Sequence, residues 1–421
     1  MEQNNIVEKN ALTPISKEER LSWISLAFVQ AGICVCVPSF LEGALLAEAM
    51  PVKDAILSGT LGYVIVVVVM SILGFMGSDL GMATCTLTES TFGKKGARYL
   101  VSTVFALNLI GWFGINNAQC GEAFSKFINV SYGIHLPIAI SNIFWGIIML
   151  LTAVYGMKAM EKLDIISIPL LMLVMTAGTY LAIKNFGLNK IYSEVNQTMS
   201  FWQGVGLSFD FYAVGVITAA DITRFQKSRK DTILSTVIGV FPMGVITLLL
   251  GILLTKIAND YDIGSVLITV GIPIFGIISL VLSTWTTNSA NAYSSGLNLV
   301  MSFNVSDNRR REITIFAGIV GIILGNMGIL ERIEEVLNFL AYLVCPIGGV
   351  MLADYFLIGK GKPENWKSKE GWNVVGLLTW VVSIILSVFL KNDYIGILIA
   401  MGIYLILYKI IPEKYRILGG L

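Results

Sequence analysis

Charge is what this 421-residue sequence has least of: 14% of its residues are Asp, Glu, Lys or Arg, against roughly 25% in soluble domains. That supply is too thin to clothe a water-soluble chain of this length, and 55% hydrophobic residues point to a lipid-facing exterior. A net charge of +1 gives no reason to expect nucleic acid as a partner. Histidine occurs once, at His135, in a short polar connection. The five cysteines (Cys34, Cys36, Cys85, Cys120, Cys345) lack metal-ligand spacing. Cys34 and Cys36 fall in an apolar segment where packing is their expected role, and no disulfide framework is implied. Enzymes and metal centres need convergent His, Cys, Asp or Glu, so neither is expected, nor a resident cofactor. The first twenty residues are polar with no early apolar run, so a cleaved signal peptide is not expected.

Long apolar runs fill the rest. A helix needs about 20 apolar residues to cross a bilayer. Twelve segments meet that length: 22–46, 55–77, 98–123, 137–157, 163–183, 200–222, 232–257, 269–299, 313–331, 335–357, 372–390 and 393–411. With both termini on the cytoplasmic side, the inner segments hold 22 of the 29 Lys and Arg, in clusters such as Lys94, Lys95, Arg98 and Arg309, Arg310, Arg311. The positive-inside rule therefore supports the register along the whole chain. The expected class is an all-α, multi-pass protein of the cell membrane with twelve transmembrane helices.

Two spans differ from the others. The first reads AGICVCVPSFLEGALLA (31–47), with Gly32, Pro38 and the acidic Glu42. The sixth reads WQGVGLSFDFYAVGVITAAD (202–221), with Gly204, Gly206, Gly215 and Asp210. Interruptions at corresponding positions of two five-helix halves point to inverted repeats with discontinuous helices; the alternative is that these glycines permit close helix packing. Carboxylates within a membrane usually face a cavity or a partner. Glu42 and Asp210 are therefore candidates for a substrate amino group or a coupled proton, or else reach interfacial water. Asp221 and Asp354 sit near helix ends, where capping or loop contacts account for them.

The eighth span carries STWTTNSANAY (283–293), dense in hydrogen-bonding side chains. Ser283, Thr286 and Thr287 share one helix face. Two hydroxyls and a carbonyl there, with unwound carbonyls near Gly32 and Val35, would give five hard oxygens for Na⁺. The competing reading has the hydroxyls bonding back to their own helix.

GSDLGMATCTLTESTFGKKG (77–96), GWFG (111–114), ITAADITRF (217–225), WTTN (285–288) and CPIGGVMLADYF (345–356), in this order, resemble the nucleobase–cation symporter-1 family across essentially the whole chain. The resemblance implies a five-plus-five inverted repeat of the leucine-transporter type (approximately 22–183 and 200–357). A short cytoplasmic segment (1–21) precedes this core, and 358–421 adds two helices and a cytoplasmic C-terminus. It implies a Na⁺ site at Gly32, Val35, Ser283, Thr286 and Thr287. It also implies a flat heterocycle, such as cytosine or a related purine or pyrimidine, held between Trp112 and Tyr212, with Asn288 on the ring edge. The sequence departs from the cytosine-transporting pattern at Leu109 and Ala290. Asn116, one turn beyond Trp112, matches an amide of hydantoin-transporting relatives. Hydantoin, allantoin or thiamine-precursor transport, and H⁺ in place of Na⁺, are the alternatives.

Overall fold

The computed structural model describes residues 12–270, 272–328 and 333–419. Residues 1–11 of the N-terminal segment, and 329–331 of the ninth expected span, lie outside them. Eighteen helices are described: α1 (Trp23–Cys34), α2 (Val37–Ala49), α3 (Val52–Leu80), α4 (Thr84–Leu87), α5 (Glu89–Gly96), α6 (Ser102–Tyr132), α7 (Ile138–Tyr155), α8 (Met157–Phe186), α9 (Phe201–Asp210), α10 (Ala213–Ile217), α11 (Ala220–Thr223), α12 (Arg229–Ala258), α13 (Ile263–Thr269), α14 (Pro273–Ser302), α15 (Arg310–Asn326), α16 (Ile333–Leu352), α17 (Val374–Leu390) and α18 (Ile395–Ile410). A two-stranded antiparallel ribbon pairs Trp372 with Leu418 and Asn373 with Ile417.

Among the described residues, six helices are long and apolar enough to cross a membrane, or seven if α1 and α2, bent by 54°, form one span. The remaining expected spans are helical but short, broken or polar. At 17, 17 and 16 residues, α15, α17 and α18 are short, and the sixth expected span is split among α9, α10 and α11. α14 is long, yet Thr286 through Met301 are all buried. A helix surrounded by protein needs no apolar exterior, so its polarity is compatible with a place at the centre of a bundle.

Pro38 explains the first break. It has no N–H to bond to the Cys34 carbonyl, and its ring disfavours helical geometry just before it. Val35 and Cys36 leave the helix, Cys36 fully extended at φ −140°, ψ 164°, and α2 restarts with Pro38 in its first turn. The second break has a different cause from the one the glycines implied. It falls at Phe211 and Tyr212 (φ −115°, ψ −1°), between Gly206 and Gly215. Gly204 instead admits Ser58, whose Oγ would lie 2.7 Å from an added Cβ, and Gly206 admits the Tyr394 ring at 3.0 Å. Those glycines serve close packing.

At the basic end, buried polar residues tie the bundle together. The Thr84 N–H donates to Asp221 at 2.8 Å. Arg224 donates to the Tyr293 hydroxyl at 2.6 Å. Asp354 accepts from Tyr404 at 2.8 Å and faces Lys369 at 3.4 Å. These contacts are structural, as expected for Asp221 and Asp354.

Candidate functional site

A small cavity of about 60 Å³ lies where α2, α6, α10 and α14 meet. That is room for roughly four to six waters, the scale of one small ring. Trp112 of α6 and Phe211 of the second break flank it, their ring centroids 6.3 Å apart and their planes tilted by 55°. Tyr212 also lines it, and its hydroxyl accepts from the Cys34 thiol at 3.2 Å. The ring nearest Trp112 is therefore Phe211, which the sequence reading passed over although it adjoins Tyr212 in FDFYAVG.

Asn116 lines the cavity. Its amide nitrogen donates to the Trp112 carbonyl at 2.9 Å, leaving its buried Oδ1 unpartnered. That oxygen is an acceptor for a ring N–H. Asn288 is placed elsewhere. On α14 the cavity face carries Thr287, Asn291 and Ser294, at helical spacing. Asn288 is rotated about 100° away, where it donates to the Phe113 carbonyl at 3.1 Å and accepts from Asn291 at 3.4 Å. The amide at the cavity is that of Asn291.

The first break and α14 bring hard oxygens together. Thr286 and Thr287 donate to the Gly32 carbonyl at 2.8 and 3.0 Å. Thr287 also lies 3.2 Å from the Ile33 carbonyl, and both hydroxyls lie within hydrogen-bond reach of the Ser283 carbonyl, at 3.0 and 3.2 Å. The Ser283 hydroxyl turns back to the Leu280 carbonyl at 3.1 Å. The threonine hydrogen bonds reach Gly32 and Ile33, and the Val35 N–H closes the last turn of α1 on Ala31 at 3.1 Å. Three carbonyls and two hydroxyls, all uncharged hard donors, are the chemistry that a desolvated alkali cation requires.

The two acidic anomalies separate. Glu42, fully buried, accepts from the Tyr63 hydroxyl at 3.0 Å and from Ser208, so α2, α3 and α9 meet at its carboxylate. Asp210 ends α9 just before the turn that carries Phe211 and Tyr212 into the cavity. Its own carboxyl points the other way, into a second cavity shared with Asp393. An expected substrate contact for Asp210 thus becomes a contact with the α17–α18 connection.

Residues 14–410 match the family of permeases for cytosine/purines, uracil, thiamine and allantoin. The chain belongs to this nucleobase–cation symporter family. Its members are permeases and not enzymes, and this chain is a multi-pass membrane transporter of nucleobase-like substrates. It is 27% identical over 347 residues to the cytosine permease of Escherichia coli strain K12, covering 82% of this chain and 80% of that one. Among solved structures it resembles Mhp1, a nucleobase-cation-symport-1 family transporter in a closed conformation with bromovinylhydantoin bound. That likeness has a TM-score of 0.86 at 19% identity over 98% of both chains. A Na⁺-coupled sialic acid symporter in a substrate-bound outward-open state matches at a TM-score of 0.66 and 15% identity, over 92% of this chain and 89% of that one. These likenesses show a shared fold.

Proposed function

We propose that this permease imports a planar nucleobase-like heterocycle together with Na⁺ by alternating access. The architecture would be twelve spans, ten of them in two inverted five-helix repeats, with both termini in the cytoplasm. The observation that carries the coupling is Thr287. Its hydroxyl reaches the Gly32 and Ile33 carbonyls at the first break, and its side chain lines the cavity beside Trp112. A cation that draws Gly32, Ser283, Thr286 and Thr287 together fixes α1 against α14 and thereby shapes one wall of the substrate cavity. Occupation of either site favours the geometry the other needs, which is thermodynamic coupling.

The ring would lie against Trp112, with Phe211 and Tyr212 opposite and the Asn116 and Asn291 amides along its edge. Aromatic walls select flat molecules, and the unpartnered Asn116 Oδ1 penalises rings that lack an N–H to meet it. A tenfold Na⁺ gradient supplies about 1.4 kcal/mol, and a potential of ~100 mV adds about 2.3 kcal/mol per charge. Together they sustain accumulation on the order of several hundredfold.

The test is thermal stabilisation of the purified protein across purines, pyrimidines, hydantoins, allantoin and thiamine precursors in Na⁺ or K⁺, followed by uptake of the best ligand into proteoliposomes. Binding to the folded state raises apparent stability by mass action. Concentrative uptake that needs an inward Na⁺ gradient is expected; uptake indifferent to Na⁺ but driven by a proton gradient would replace Na⁺ with H⁺ in this reading.

A further inference from the structure

Asp164 sits on α8 and is 1% exposed. Its Oδ1 has no hydrogen-bond partner. Among the described residues no Lys, Arg or His pairs with it, and Lys158 and Lys162 of the same helix are exposed. An unpaired carboxylate in a dry interior is strongly unfavourable and calls for a cation or a proton.

Its position says where that charge would be. A Cβ built on Gly32 would lie 2.5 Å from Asp164 Oδ1 and 3.1 Å from Thr286 Cβ. Asp164 and Thr286 thus both crowd the bare Cα of Gly32. Gly32 is the residue whose carbonyl receives both threonine hydroxyls. Only glycine leaves room there: any side chain would displace either the carboxylate or α14. Ser167, one turn along the same face of α8, is also buried with an unpartnered hydroxyl. Three helices, α1, α8 and α14, therefore meet around Gly32, and the group that α8 brings there can be anionic.

We infer that Asp164 supplies the negative charge of the cation site formed by Gly32, Ser283, Thr286 and Thr287. The inference rests on the Na⁺-coupled reading above. Neutral oxygens replace the hydration shell, and the carboxylate cancels the ion's charge. The loaded site is then neutral, and a neutral site is closed off from water inside the bilayer at less cost than a charged one. Gly32 is the spacer that lets α8 approach closely enough for this.

The experiment titrates thermal stabilisation of the purified full-length protein with NaCl, K⁺ holding ionic strength constant, in wild type, Asp164→Asn, Gly32→Ala and Thr286→Ala. The half-maximal Na⁺ concentration is expected to rise at least tenfold in Asp164→Asn and several-fold in Gly32→Ala, which keeps the carboxylate but pushes it aside. An Asp164→Asn protein with wild-type Na⁺ response, beside a Thr286→Ala protein that has lost it, overturns the inference and leaves the Na⁺ reading intact. A wild type blind to Na⁺ overturns both. Should Asp164→Asn fail to fold, infrared difference spectra of wild-type protein carrying ¹³C-aspartate decide the matter. Na⁺ is expected to shift an aspartate carboxylate band, with a smaller shift in Gly32→Ala, and a silent band rejects the assignment.

Discussion

At the residue scale, the cavity divides labour between flat rings and amides. Trp112 is the large face, and truncating it to alanine should weaken planar ligands by about 1–3 kcal/mol, the usual worth of base–aromatic stacking. Trp112→Phe should retain part of that affinity, and calorimetry distinguishes the three proteins. Asn288 and Asn291 of α14 should behave oppositely. Asn291 lines the cavity, so Asn291→Ala should lower ligand affinity with little change in melting temperature. Asn288 holds the Phe113 carbonyl, so Asn288→Ala should cost stability first, about 1 kcal/mol for a lost buried hydrogen bond. Equal effects of both substitutions on affinity would mean that the cavity face of α14 is drawn wrongly. Thr286→Ala and Thr287→Ala should each reduce the Na⁺ dependence of uptake more than protein abundance, because each removes one oxygen and little volume.

At the element scale, Pro38 announced the first break, and Ser283, Thr286 and Thr287 announced the face of α14 that meets it, since both follow from local rules of helix geometry. The second break was not legible from its glycines, because packing against Ser58 and Tyr394 uses the same residue type as unwinding does. Asn288 and Asn291 could not be ranked from sequence either; three residues apart on a helix, they share neighbours until the packing partners are known. Asp164 carries no signal of its own in the sequence, because it follows two lysines and reads as part of a charged helix end. Glu42 shows how a tertiary contact decides a role. Its carboxylate joins α2 to α3 through Tyr63 and to α9 through Ser208. Glu42→Ala would strand the buried Tyr63 hydroxyl, while Ser208 keeps the Gly59 carbonyl at 2.9 Å, and a melting temperature lowered by the equivalent of about 1–3 kcal/mol is expected. Glu42→Gln keeps an acceptor and should lose less, with Na⁺-driven uptake preserved. Loss of concentrative uptake in a stable Glu42→Gln protein would instead make Glu42 a carrier of the coupled charge.

At the scale of the whole molecule, the proposed alternating access would move the two broken segments relative to their surroundings, and the connection between α17 and α18 is placed to restrain one of them. The Tyr394 ring packs on Gly206 at 3.0 Å from an added Cβ and sits 6.2 Å from the ring of Phe209. Asp393 meets Asp210 carboxyl to carboxyl at the end of α9. Two carboxylates in contact repel unless a proton sits between them, so this clasp holds only while one of the two stays neutral. Asp210→Asn removes that condition, since an amide donates to the Asp393 carboxylate without any shared proton. A clasp of this kind predicts a melting temperature equal to or a few degrees above wild type, with Na⁺-driven uptake and ligand preference retained. Asp393→Ala, which deletes the contact, should lower the melting temperature and leave ligand affinity nearly unchanged. If the pair instead relays the coupled proton, Asp210→Asn will bind ligand normally yet fail to accumulate it under a proton gradient that drives the wild type. Proteoliposomes given a Na⁺ gradient or a proton gradient, one at a time, separate the two cases. The Na⁺-driven outcome is expected because the Gly32–Thr286–Thr287 oxygens adjoin the ring cavity, whereas Asp210 and Asp393 face the second one.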